Sequence, residues 1–200
     1  MNLINIFKKK QYPAKDFTPL ETIPQMGDAI LIHDLRPNII GDGIEFFTDG
    51  DVAHTDIYVG GGDGGIIGYT AEGCTRRNIN MWFKPYYKVT LRRIKDITIN
   101  QASKMKEAAY NDYNKHKPYD FLSYIGFIYQ NIKRKLFKKK IDDDSTESDN
   151  PVQGQGKVCS TGYIEWTKEA GLDLFPNIGD ESVTPQHIFK SKKFETIIEI

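Results

Sequence analysis

Lys157-Val158-Cys159-Ser160-Thr161-Gly162-Tyr163-Ile164-Glu165-Trp166 places a cysteine at the opening of a helix. Tyr163, Ile164, Trp166 and Ala170 continue a helical period and Gly171 supplies a C-terminal cap, so Cys159 falls in the first turn or just before it. There the helix dipole and the free backbone N–H groups favour a thiolate. The same N–H groups can receive an oxyanion, because a tetrahedral intermediate develops its charge next to the sulfur that attacked. A cysteine taken alone is more often a small buried apolar residue. Reading Cys159 as a nucleophile therefore depends on what the rest of the chain brings to it.

The chain has 200 residues, 39% of them hydrophobic and 12% aromatic, which suits one domain with a sizeable core. Its 27 basic residues balance 27 acidic ones, which argues against dedicated nucleic-acid binding. Cys74 and Cys159 are the only cysteines, so there is no disulfide framework and a free reactive thiol is permitted. Two distant cysteines and no paired histidines give no zinc spacing, and no stretch fits a calcium loop. Neither a metal nor a cofactor is expected. The apolar residues of Met1 to Phe7 precede Lys8-Lys9-Lys10, the wrong order for a secretory signal, and no stretch is long and apolar enough to span a bilayer. The expected location is cytoplasmic or phage-associated.

Working outward from Cys159, residues 1–26, with Pro13, Pro19 and Pro24, read as a lead-in to a domain over 27–200. Ala29-Ile30-Leu31-Ile32 is a strand buried on both faces, and Ile39 to Phe47 has the spacing of a short helix. His54 to Val59 and Ile66 to Ala71 form a hairpin about Gly60-Gly61-Gly62-Asp63-Gly64-Gly65; no Gly-Lys-Ser/Thr follows to make that run a phosphate loop. Cys74 to Ile79 and Lys88 to Arg93 read as a second strand pair extending the sheet, with Met81-Trp82-Phe83 packed between. Thr98 and Gln101 form a capping box for a helix ending near Lys115, whose inner face carries Ala102, Met105, Ala109 and Tyr113. A second helix follows Pro118-Tyr119-Asp120, with Phe121, Ile125, Ile128 and Ile132 in phase. Opposite charge blocks then mark a solvated, flexible insertion at about 133–156. The aromatic and basic segment 121–140 is a candidate for peripheral contact with an anionic membrane. A polar turn region with Pro176 and then Thr184-Pro185-Gln186-His187-Ile188 follow the Cys159 helix, and Phe194 to Ile200 is a closing strand.

A thiol nucleophile needs a base. On the strand His54-Thr55-Asp56-Ile57-Tyr58-Val59, alternation puts His54, Asp56 and Tyr58 on one face. His33, His116 and His187 fall in or beside predicted turns, where exposed or capping roles are expected. A third group must hold the imidazole in one tautomer. If the strand ending Thr70-Ala71-Glu72-Gly73 returns antiparallel to the His54 strand, it brings Glu72 towards His54; otherwise Glu72 is a strand-end surface charge.

These features occur in a telling order: an apolar strand after Gly27-Asp28, a strand opening with His54, Glu72-Gly73, Pro118-Tyr119-Asp120, Cys159-Ser160 at a helix start, and Thr184-Pro185-Gln186. In that order the sequence resembles the circularly permuted NlpC-type cysteine hydrolases, the YiiX-like branch of the papain-like superfamily, in which the histidine strand precedes the cysteine helix. The resemblance implies an α+β fold with an antiparallel sheet packed against helices. It implies Cys159 as nucleophile, His54 as general base, Glu72 as the imidazole orienter, and backbone N–H groups of Cys159 or Ser160 in an oxyanion hole. Asp56 departs from the small residue common at its position and competes with Glu72 for the orienting role. The expected activity is cleavage of an amide in a peptide or peptidoglycan stem peptide through a thioester, without a cofactor. The alternatives are a lipid-directed thiol acyltransferase or esterase acting on an acyl substrate, and a non-catalytic binding or phage structural module.

Overall fold

The computed structural model describes residues 24–35, 52–61, 64–120 and 157–200. In chain order, strands Ala29–Asp34 (β1), His54–Gly60 (β2), Gly65–Thr70 (β3), Gly73–Asn78 (β4) and Tyr87–Ile94 (β5) come first. Helices Ile99–Asn114 (α1), Cys159–Glu169 (α2) and Pro185–Lys190 (α3) follow, and strand Phe194–Glu199 (β6) closes the series. The strands form one antiparallel sheet in the order β4-β3-β2-β1-β5-β6, packed against helices, which makes the fold α+β as the sequence implies.

The unbroken apolar run of β1 follows from its central place. Ala29 and Leu31 face one core with Ile57, Met105 and Tyr163, while Ile30 and Ile32 face a second with Ile66, Trp82 and Leu91. A strand with a core on each face has no polar position to alternate. α1 starts at the expected capping box, where the Thr98 hydroxyl accepts from Gln101 N (3.2 Å) and Gln101 Oε1 accepts from Thr98 N (3.0 Å). Such a cap contributes about 1 kcal/mol. Ala102, Met105 and Ala109 are buried on its inner face and Tyr113 packs half-buried beside them.

α2 lies close on β3. A Cβ added at Gly162 would stand 2.5 Å from the Tyr69 ring, so only glycine permits this approach, and Trp166 stacks on the same ring at 5.9 Å. Tyr163 hydroxyl donates to Gly27 O (2.9 Å), tying α2 to the chain just before β1.

Between α1 and α2 a buried polar knot forms on Asp112. Its Oδ2 accepts from Tyr69 hydroxyl (2.8 Å), Trp166 Nε1 (2.9 Å) and Lys157 Nζ (3.0 Å), and its Oδ1 pairs with Lys117 Nζ (2.6 Å). Lys157 also pairs with Glu165. Burial by itself would raise the Asp112 carboxyl; the hydrogen bonds from Lys117, Trp166, Lys157 and Tyr69 outweigh it and hold it at about 2.

Three expectations are corrected. β4 and β5 do not pair: β4 hydrogen-bonds β3, whereas β5 joins the far side of β1 and receives β6. A 3-10 turn at Ile79–Trp82 makes the crossing and is anchored by burying Trp82 in the second core. His33 lies inside β1 rather than at a turn, buried, with Nε2 3.2 Å from Thr90 Oγ1 and its ring edge-on to Phe189. His187 lies within a helix, Pro185–Lys190, rather than in or beside a turn; the helix is begun by Thr184, whose N–H donates to His187 Nδ1 (3.0 Å) while its hydroxyl accepts from His187 N (3.3 Å). Histidine is an unusual partner in such a box, which hides the signal in sequence. Most of the lead-in, the short helix expected over 39–47, the helix after Pro118-Tyr119-Asp120 and the charged insertion lie outside the described residues.

Candidate active site

Cys159 is the first residue of α2, after an extended Val158 that offers no side-chain cap. The first intrahelical bond runs from Gly162 N to Val158 O (2.9 Å). Among the described residues, nothing takes the N–H groups of Cys159, Ser160 and Thr161. The helix start is held on two sides. Lys157 forms a parallel bridge with Tyr119, through Asp120 N to Lys157 O (3.1 Å) and Lys157 N to Pro118 O (3.2 Å). Ser160 Oγ donates to Val183 O (2.6 Å) and Thr161 Oγ1 to Asp180 O (3.4 Å), fixing the other side to the segment before α3.

His54 is the first residue of β2, and the neighbours of its largely buried ring include a carboxylate and a thiol. Nε2 stands 2.8 Å from Asp56 Oδ1, and the Cys159 thiol lies within hydrogen-bonding reach. Asp56 accepts from Nε2–H, which leaves Nδ1 as the nitrogen able to take the thiol proton. Alternation along β2 sets this up by aiming His54 and Asp56 the same way.

Asp56 is fully buried and has three partners. Besides His54, Arg77 Nη2 reaches Oδ1 at 2.5 Å and Trp82 Nε1 donates to Oδ2 at 2.7 Å. Arg77 belongs to β4, with β3 lying between it and β2, so the pair bridges over an intervening strand. Gly68 of β3 makes room: a Cβ there would stand 1.8 Å from Asp56 Oδ1 and 3.3 Å from Arg77 Nη2. A mid-strand glycine of this kind marks close approach of other groups.

The charges reinforce one another. Burial by itself would lower the His54 imidazolium, but the Asp56 carboxylate, helped by the Cys159 thiol, outweighs it and raises His54 to about 9. Burial would likewise raise Asp56; the charges of His54 and Arg77 and the hydrogen bonds from His54 and Trp82 keep it below the usual carboxylate range. Cys74, the other thiol, sits in the helix-side core, where burial and then the Asp112 charge push it up to about 12.

Of the residues singled out in the sequence, the structure brings Cys159, His54 and Asp56 together, and not Glu72. The β2–β3 pairing runs from Gly60 opposite Gly65 to Ile57 opposite Ile67, and β3 ends at Thr70. Glu72 therefore lies past the strand end, exposed in the β3–β4 turn, where its N–H bonds Thr70 Oγ1 (3.3 Å). Arg77 and Trp82 were missed. The available signals were Gly68 in an apolar strand and two arginines, Arg76 and Arg77, inside a strand.

Together the sheet and helices define an α+β protein of YiiX-like fold. No protein-family model matches the sequence, and no curated protein matches it. Among solved structures, the crystal structure of the metalloprotein YiiX from Escherichia coli O157:H7 is similar, with a TM-score of 0.58 and 16% identity. The match covers 90% of this chain and 99% of that one. At that identity the likeness shows the fold alone.

Proposed function

We propose that the protein is a cysteine hydrolase of the permuted papain-like kind, cleaving an amide in a peptide or peptidoglycan stem peptide through a thioester. One observation carries the reading: the His54 ring stands between the Asp56 carboxylate, 2.8 Å from Nε2, and the thiol that opens α2. Asp56, rather than Glu72, is the orienter in this reading.

In the first half-reaction His54 holds the thiol proton and the Cys159 thiolate attacks the amide carbonyl carbon. The carbonyl oxygen becomes an oxyanion next to the N–H groups of Cys159 and Ser160. The C–N bond breaks as His54 gives its proton to the leaving amine, and a thioester remains. In the second half, His54 takes a proton from water, the water oxygen attacks the thioester carbon, and the C–S bond breaks to return the thiolate. Ser160 contributes through its backbone, because its hydroxyl is committed to Val183 O.

The E. coli protein is described as a metalloprotein, and the described residues of this chain do not form a metal site. Among the described residues no three His, Cys, Asp or Glu side chains converge in ligand geometry, and the Asp56 oxygen nearest His54 already carries the Arg77 guanidinium. No step is routed through a metal.

The test is alkylation by iodoacetamide, followed separately at the two cysteines by peptide mass spectrometry from pH 5 to 9. Cys159 is expected to react at least ~100-fold faster than Cys74 at pH 7, with His54→Ala removing most of that advantage. A Cys159 as slow as Cys74, or indifferent to His54, would sink the reading. A reactive Cys159 justifies incubation with cross-linked stem peptides, where Cys159→Ser must abolish release of new amines.

A further inference from the structure

Arg77 is joined to the site by contacts that the reaction steps do not use. Its Nη2 is 2.5 Å from Asp56 Oδ1, the same oxygen that faces His54, and only 3.3 Å from His54 Nε2. The guanidinium also lies over the Trp82 ring, 5.4 Å from its centroid, and Trp82 is the group that holds the other Asp56 oxygen. The ion pair passes over β3 at Gly68, where any side chain would enter the space that Asp56 Oδ1 and Arg77 Nη2 occupy. A cation so placed does two opposing things to an imidazolium. It fixes the carboxylate that attracts the His54 proton, and it repels that proton directly, since like charges a few ångströms apart disfavour each other.

We propose that Arg77 is a positioning residue whose charge acts as a counterweight to Asp56, limiting how tightly His54 keeps its proton and so setting the pH window of the thiol–imidazole pair. The inference rests on the cysteine-hydrolase reading only for its functional meaning; the electrostatic arrangement stands apart from it. Among the described residues, the ionisable groups facing His54 are Asp56 from its own strand, Arg77 from β4 and Cys159 from α2. Trp82 holds Asp56 from its other oxygen without Arg77, so the fixing effect is shared while the repulsion is Arg77's own. Loss of the cation alone thus leaves the carboxylate in place and removes the opposing charge.

The experiment is an NMR titration of the His54 ring in full-length protein labelled with nitrogen-15 histidine, comparing wild type, Arg77→Gln and Arg77→Lys. The His54 titration midpoint in Arg77→Gln is expected to rise by about one pH unit. Arg77→Lys, which keeps the charge, is expected to stay within about 0.3 unit of wild type. Cys159 alkylation profiles of the same variants should move in step. An unmoved or lowered midpoint in Arg77→Gln overturns the proposal, as does a lysine variant that shifts as far as the glutamine one. If Arg77→Gln fails to fold, Arg77→Lys together with Arg77→Met decides on the same criterion. An unreactive Cys159 with the expected midpoint shift would defeat the hydrolase reading and leave the counterweight intact. A reactive Cys159 without the shift does the reverse.

Discussion

Asp56 and Glu72 illustrate what a single residue's neighbours decide. Both are acids near His54 in the sequence, yet one is buried on the ring's Nε2 and the other is exposed beyond a strand end. Period-two alternation made the first contact legible, since it needs only that residues two apart share a face. The second depended on where β3 ends relative to β2, and hairpin register is set by turn details the sequence did not reveal. The consequence can be measured. His54 holds its proton up to about 9 in the native state, against 6.5 when unconstrained, so the native state keeps a proton that the unfolded chain releases between those values. The stability this supplies is fully present below about 6.5 and is lost as pH rises through about 9. Urea midpoints should therefore fall over that interval in the wild type and change little in Asp56→Asn. Equal slopes in the two proteins would refute the pairing. Asp56→Asn should also slow Cys159 alkylation at pH 7 by about tenfold, with Glu72→Gln within about twofold of wild type.

At the level of elements, the α2 helix is positioned by what it lacks as much as by what it carries. Gly162 lets its backbone settle onto Tyr69, one turn from the thiol, and that tyrosine is buried, stacked on Trp166 and bonded to Asp112, so a Cβ 2.5 Å from its ring has to displace packed groups. Gly162→Ala should therefore destabilise the fold by about 1–3 kcal/mol in urea unfolding and slow Cys159 alkylation. An alanine variant with unchanged stability would mean that helix and sheet separate freely there. Helix starts were the best-read features of the sequence: Thr98 with Gln101 marked α1, and the apolar period before Gly171 marked α2. α3 escaped because its box uses His187 in place of glutamate or glutamine.

Across the whole molecule, topology was the least legible property. Neighbours in sequence were read as neighbours in space, which holds for β2, β3 and β4 and fails at β5, where the chain crosses to the other side of β1. Nothing local encodes that crossing; it is fixed by burial of Trp82 and by β6 arriving from the end of the chain. The Asp112 knot is similarly non-local, joining β3, α1 and the start of α2. Its carboxyl, held at about 2 in the fold, supplies stability that is present above the unfolded carboxyl value of about 4 and lost as pH falls through about 2. Asp112→Asn is expected to lose about 3 kcal/mol at pH 7 and to show a flatter acid transition, checked by urea unfolding from pH 2 to 7. An equally steep acid transition would place the acid sensitivity elsewhere. The order of the strands has one more implication, for biosynthesis. His54, Asp56, Arg77 and Trp82 all leave the ribosome long before Cys159, so the emerging polypeptide can bury its histidine–carboxylate pair before the thiol exists. The sulfur follows only with α2, so the thiol–imidazole contact waits for a helix made well after the strand that carries its histidine.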